Sequence, residues 1–352
     1  MKEFLKSHIK PFLQTVAFFV IFVLIFLHVQ NIFNLKGSGY TKRMYFRDEA
    51  DNTINVMFFG NSRCNRGMNP SVIDPIAGTY SYNMAIQGLR SSFVYVRMKD
   101  AFKTQTPKLI AIETSIFTPP STPGLEESYG QRTLMSIPVS PFKLASSIEL
   151  ASLIDGDLGK KATRASEYFL PLLRFHSRYE ELGPGDFVYD LINMGDYDYS
   201  EAQADKCIIE NRGYTIYAKN NKLEQTTKTS FFDKDHTSIT DVAELDGTSY
   251  DYLNKIVELA KDKGAKILFF SIPAMGAKKD SRVTEPIMNF LKTCYENDPD
   301  VKFLDFYEHL NEIGLDYEHF QNKEHLNIEG AKLASEFMGN FIKDNYDASM
   351  WN

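Results

Sequence analysis

The sequence predicts an α/β fold built on a parallel sheet of five strands, with a large, mostly helical insertion and an apolar helix ahead of it. Three observations predict it. Five short apolar runs, around residues 55–59, 80–83, 107–113, 265–273 and 301–306, are the continuous hydrophobic stretches expected of strands buried on both faces. Helical stretches precede the later runs, and strand-helix-strand units of this spacing make parallel sheets with right-handed crossovers. Two of the runs stop abruptly in small polar residues, Gly60-Asn61-Ser62 and Thr114-Ser115. Such stops are strand-to-helix turns at the carboxyl edge of a sheet, where open α/β sheets carry their chemistry.

Composition sets the bounds. With 352 residues, 43% apolar and 13% aromatic, the chain can bury the core of one large domain. A formal charge of −7 argues against nucleic acid as a partner, because such proteins present a basic face. The three cysteines, Cys64, Cys207 and Cys294, suit neither a disulfide framework nor a metal site. Cys64 stands two residues after Ser62 and is an alternative nucleophile by position, but it reads better as a small buried side chain. No metal or cofactor is expected.

Taken in order, residues 1–11 form a polar tail and residues 12–30 a transmembrane anchor. Val16 to Leu27 is uninterruptedly apolar, and an 18-residue helix over this region rises about 27 Å, close to the thickness of a bilayer core. Lys6, Lys10 and Lys36 flank it, and no small-residue cleavage site follows, so the helix reads as retained. Lys2, Lys6 and Lys10 place the tail in the cytoplasm and the remainder outside it. Residues 31–52 read as a connector and 53–346 as the α/β domain. Pro70 suits a helix start, and residues 80–91 read as a short strand followed by a turn containing Gly88. Residues 92–104 have helical spacing.

Between about 117 and 245 the strand-helix rhythm lapses, and the stretch reads as an insertion over the carboxyl edge of the sheet. It contains Arg174, His176 and Arg178 among aromatic residues. This cluster either contacts an anionic or sugar-bearing substrate or is an exposed helix end with its usual cations. Near the end of the chain, Asn327 caps a helix over 328–345, which fixes His325 just ahead of a packed element.

Three blocks together resemble the SGNH/GDSL hydrolase superfamily, in its membrane-anchored branch that works with membrane-bound O-acyltransferases. Gly60-Asn61-Ser62 is similar to the nucleophile block, Asn83 with Gly88 to the second block, and Asn322-Lys323-Glu324-His325-Leu326-Asn327 with Gly330-Ala331 to the last. The resemblance implies a three-layer, flavodoxin-like sheet. It implies Ser62 as nucleophile, His325 as general base, and Ser62, Gly88 and Asn83 as the oxyanion site. It also implies transfer or hydrolysis of acyl groups on envelope polysaccharide or teichoic acid at a bacterial membrane, with a membrane-bound O-acyltransferase as partner. An alternative is a fold-retaining assembly partner without strong catalysis. Two departures stand out. The third block has no Asn and offers only the hydroxyls of Thr114 and Ser115, and Asn322 occupies the place of the acid. Glu324, Asp316 and Glu318 are the nearby carboxylates that could replace it.

Overall fold

The computed structural model describes residues 2–34, 46–118, 133–187, 208–209, 211–216, 242–274 and 284–351. The chain forms two compact units, one of Met1–Lys36 with Pro138–Tyr197, the other of Gly37–Ile137 with Asp198–Asn352.

In the first unit the apolar segment forms helix α1, Lys2–Phe33, of which Ile9–Phe33 is long and apolar enough to cross a membrane. Its side chains are exposed from Ile9 to Ile25, and burial begins only in its last turns, reaching completion at Gln30 and Ile32. The helices Pro141–Ser152 and Leu158–Phe169 pack on each other. The second of these helices ends at Leu170, because Pro171 cannot donate a backbone bond and starts a new turn, Pro171–Phe175.

The second unit holds the sheet. Strands β1 (Val56–Phe59), β2 (Ser81–Asn83), β3 (Leu109–Glu113), β4 (Lys266–Ser271) and β5 (Val301–Asp305) are all parallel, in the order β2-β1-β3-β4-β5. Period-two alternation sorts their side chains. Val56, Phe58, Leu109, Ala111, Leu268 and Phe270 join one core, with Ile73 of helix α2 (Pro70–Ala77) and Ala334, Met338 and Ile342 of the last helix. On the opposite face Phe269 stacks on Phe303 and on Tyr295 of the helix Thr284–Tyr295. Helix α3 (Ser91–Ala101) and helix α4 (Gly247–Asp262) meet through the Tyr95 and Tyr252 rings, 5.7 Å apart. The last helix, α5 (Ile328–Asn345), lies so close to α2 that a Cβ at Gly339 would stand 3.0 Å from that of Ile76.

Expected and observed elements differ in two places. The expected connector, residues 31–52, is helical to Phe33, lies outside the described residues over 35–45, and from Phe46 is already packed in the α/β unit. There Phe46 is buried and Arg47 pairs with Asp100. The expected insertion does not form one body, since residues 138–197 group with α1 while 208–209 and 211–216 group with the sheet. Residues 119–132, 188–207 and 217–241 of it lie outside the described residues. Within the part that joins the sheet, Gly213 has φ +85°, and a Cβ there would stand 2.1 Å from the Asn83 carbonyl oxygen, so only glycine fits.

Candidate functional site

The strand order reverses between β1 and β3, and open α/β sheets bind ligands outside the carboxyl ends of the strands at such a point. β1 ends there at Phe59, followed by Gly60 and a short helix, Ser62–Gly67. Asn61 caps that helix: its side-chain oxygen accepts the Arg63 N–H at 3.0 Å. Ser62, the first helical residue, is half-buried. A Cβ at Gly60 would lie 2.4 Å from that of Cys64 and 2.8 Å from that of Glu113. Gly60→Ala is therefore expected to cost about 1–3 kcal/mol by overpacking and to move Ser62 off its position. Thermal unfolding and covalent labelling of Ser62 check both parts.

His325 comes from a tight hairpin, with residues 320–322 paired antiparallel to 325–326. It thus stands in a two-residue strand, two residues ahead of the cap of α5. Asn327 accepts the Gly330 N–H at 3.0 Å and donates to the Glu318 carbonyl at 2.6 Å, tying the hairpin to the helix start.

The hairpin delivers the imidazole to the nucleophile turn. His325 Nε2 lies 2.7 Å from Ser62 Oγ, and His325 Nδ1 lies 2.9 Å from Asn322 Oδ1. The same Oδ1 accepts the Glu324 backbone N–H at 2.9 Å. A backbone N–H cannot bond an amide NH2, so this contact fixes the Asn322 carboxamide with its oxygen toward the ring. Nδ1 must then carry the proton, and Nε2 keeps a lone pair for the Ser62 hydroxyl. Burial first, then the charges of Arg66 and Arg63, push the His325 pKa from 6.5 down to about 3. The ring is therefore neutral over the ordinary pH range.

Among the described residues, none of the three carboxylates that could replace the acid bonds the His325 ring. Asp316 caps the turn Tyr317–His319, Glu318 accepts the Tyr317 hydroxyl at 2.6 Å, and the Glu324 side chain is exposed. Among the described residues, Asn322 is the group bonded to His325 Nδ1.

A second network underlies the Ser62 turn. At the end of β3 the fully buried Glu113 accepts from the Ser115 hydroxyl, and Ser115 Oγ in turn bonds the Asn61 amide. Burial pushes the Glu113 carboxyl upward, while the nearby Arg63 charge and the bonds from Ser115 and Asn61 oppose that shift. Glu113 thus holds the nucleophile turn from beneath. This residue was overlooked in the sequence, where its signal is a lone acid at the end of an otherwise apolar strand. Ser115 is consumed in the same network, and the buried Thr114 hydroxyl has no hydrogen-bond partner among the described residues.

Of the expected oxyanion donors, Asn83 is not one. Its Nδ2 donates to the Cys64 and Met68 carbonyls at 2.9 and 2.7 Å, and its Oδ1 accepts the Ala85 N–H at 3.1 Å. The carboxamide is spent on bracing the nucleophile helix against β2. Gly88 has φ +72°, and the N–H groups of Gly88 and Ser62 have no acceptor among the described residues. Cys64 is buried, as expected; Cys207 lies outside the described residues.

Arg174, His176 and Arg178 belong to the unit of α1, whereas Ser62 and His325 belong to the α/β unit. Arg178 donates to the Phe33 and Asn34 carbonyls at 3.0 and 2.9 Å and to Asp186 at 3.0 Å. It caps the carboxyl end of α1, where a cation is favoured. The exposed His176 ring bonds the Leu173 carbonyl at 3.0 Å. Compared with known proteins, the chain matches no family model and no curated sequence.

Proposed function

We propose that this chain is a serine-dependent acyl-ester enzyme of the SGNH/GDSL kind, an O-acyltransferase or acylesterase. In this reading α1 anchors it in a bacterial membrane and its α/β unit works on the extracytoplasmic side, on acylated envelope polysaccharide or teichoic acid beside a membrane-bound O-acyltransferase. The observation that carries the reading is the unbroken contact line from Ser62 Oγ through the His325 ring to Asn322 Oδ1, with links of 2.7 and 2.9 Å. These are the distances at which a base takes a proton from a nucleophile and a third group orients the base.

The chemistry follows from the atoms. Nε2 takes the Ser62 proton as Oγ attacks the ester carbonyl, and the oxyanion formed is met by the Ser62 and Gly88 N–H groups. The imidazolium returns its proton to the departing alkoxide, leaving acyl-Ser62. Water or a sugar hydroxyl then gives up a proton to Nε2 as its oxygen takes the acyl group, and the imidazolium returns that proton to the departing Ser62 Oγ. Asn322 supplies orientation to this cycle but no charge.

The same lack of charge supports a second reading, an assembly partner that keeps the fold with little turnover. Burial first, then the charges of Arg66 and Arg63, disfavour imidazolium, and Asn322 brings no negative charge to offset them. Intact-mass and peptide analysis after incubation with an activated acetyl ester separates the two. An acetyl adduct on Ser62, absent from Ser62→Ala, is expected; a folded wild type without adduct would favour the assembly reading.

A further inference from the structure

The α1 unit has its apolar and polar surfaces arranged unlike a helical module bathed in water. In the helix Pro141–Ser152, Lys143, Ser146 and Ser147 are buried while Leu144 and Ile148, one turn apart, are exposed. Leu150 and Ala151 are buried on the same face, so the helix departs from a water-facing amphipathic one in exposing two large aliphatic side chains and hiding three polar ones. The segments packed on α1, residues 171–175, 176–180 and 184–187, likewise leave Leu173 46%, Tyr179 65% and Phe187 54% exposed.

The length of α1 says what lies against these residues. The bare stretch Ile9–Ile25 rises only about 25 Å at 1.5 Å per residue, less than a hydrocarbon core of about 30 Å. A core of about 30 Å measured from the charged Lys10 ends near Gln30. Burial of α1, however, already begins at residue 26 and is complete at Gln30 and Ile32. Gln30 Oε1 accepts the Leu172 N–H at 3.0 Å, and Arg178 holds the carbonyls of Phe33 and Asn34. The last helical turns are therefore collared by protein at a depth where the bilayer has not yet ended.

We propose that the module of residues 138–187 is seated in the lipid interface, with Leu173, Tyr179 and Phe187 around α1 and Leu144 and Ile148 of the helix Pro141–Ser152 in contact with lipid. The inference rests on the membrane-anchored reading above. Aromatic and aliphatic side chains beside polar groups are the residues an interface selects.

Site-directed fluorescence tests it on the full chain in phosphatidylcholine vesicles, in a Cys207→Ser, Cys294→Ser background. A bimane is attached in turn at Ile21→Cys, Leu173→Cys, Tyr179→Cys and, as an aqueous control, Tyr250→Cys. Quenching by a lipid bearing a shallow nitroxide is compared with quenching by iodide. Leu173 and Tyr179 are expected to lose most of their emission to the nitroxide and little to iodide, with Ile21 quenched by a deep nitroxide. Iodide quenching at Leu173 and Tyr179 would overturn the proposal, as would protection from both quenchers, the signature of a protein covering. If Ile21 itself escapes the deep nitroxide, the membrane reading fails along with it.

Discussion

Replacing Asn322 by aspartate is expected to raise turnover on an acyl ester by between about 10 and 10³. In a serine-protease triad the reverse change costs about 10⁴, and the wrong imidazole tautomer accounts for that loss. Here the tautomer is already right, because the Glu324 N–H holds the Asn322 oxygen against Nδ1. What aspartate adds is charge. An opposite charge at such a distance raises a histidine pKa by about one to three units. The sign for activity follows directly. The base works when neutral, so the acid limb of kcat/KM lies near the His325 pKa of about 3 in the wild type and moves upward by the same shift in the variant. A rate gain with an unmoved acid limb would mean that residue 322 acts otherwise than through the imidazole.

Ser62→Ala and His325→Ala are expected to lower turnover by at least about 10², each alone about as much as both together. Removing the serine or the histidine of a complete triad costs about 10⁶. A triad without its carboxylate starts lower and has less to lose before only the oxyanion N–H groups and substrate binding remain. Equal single and double losses are the mark of residues acting as one unit. Additive losses would show that Ser62 and His325 work apart.

How much of this could be read in the sequence depends on how local the signal was. The five strands were legible because burial on both faces demands unbroken apolar runs such as Val56-Met57-Phe58-Phe59 and Leu109-Ile110-Ala111-Ile112. Ser62 and His325 were legible because each sits at a junction, a strand end and a helix start, where small polar residues have few other uses. The role of Glu113 was not, since nothing along the chain shows that a carboxyl at the end of β3 lies beneath a turn that follows β1. Asn83 misled for the complementary reason. Its position suited an oxyanion donor, but three backbone groups of its own neighbourhood claim its amide. The helix Pro141–Ser152 could not be assigned a face from its pattern either, because it buries Lys143 and exposes Ile148.

The central claim is that Ser62 is an activated nucleophile, and fluorophosphonate labelling tests it most directly. The full chain is treated with the probe beside Ser62→Ala, His325→Ala and Asn322→Asp, with folding verified by circular dichroism. The account predicts a single adduct on Ser62, lost in the two alanine variants and formed faster in Asn322→Asp. A folded wild type that takes no probe, or one labelled equally well without Ser62, would contradict it.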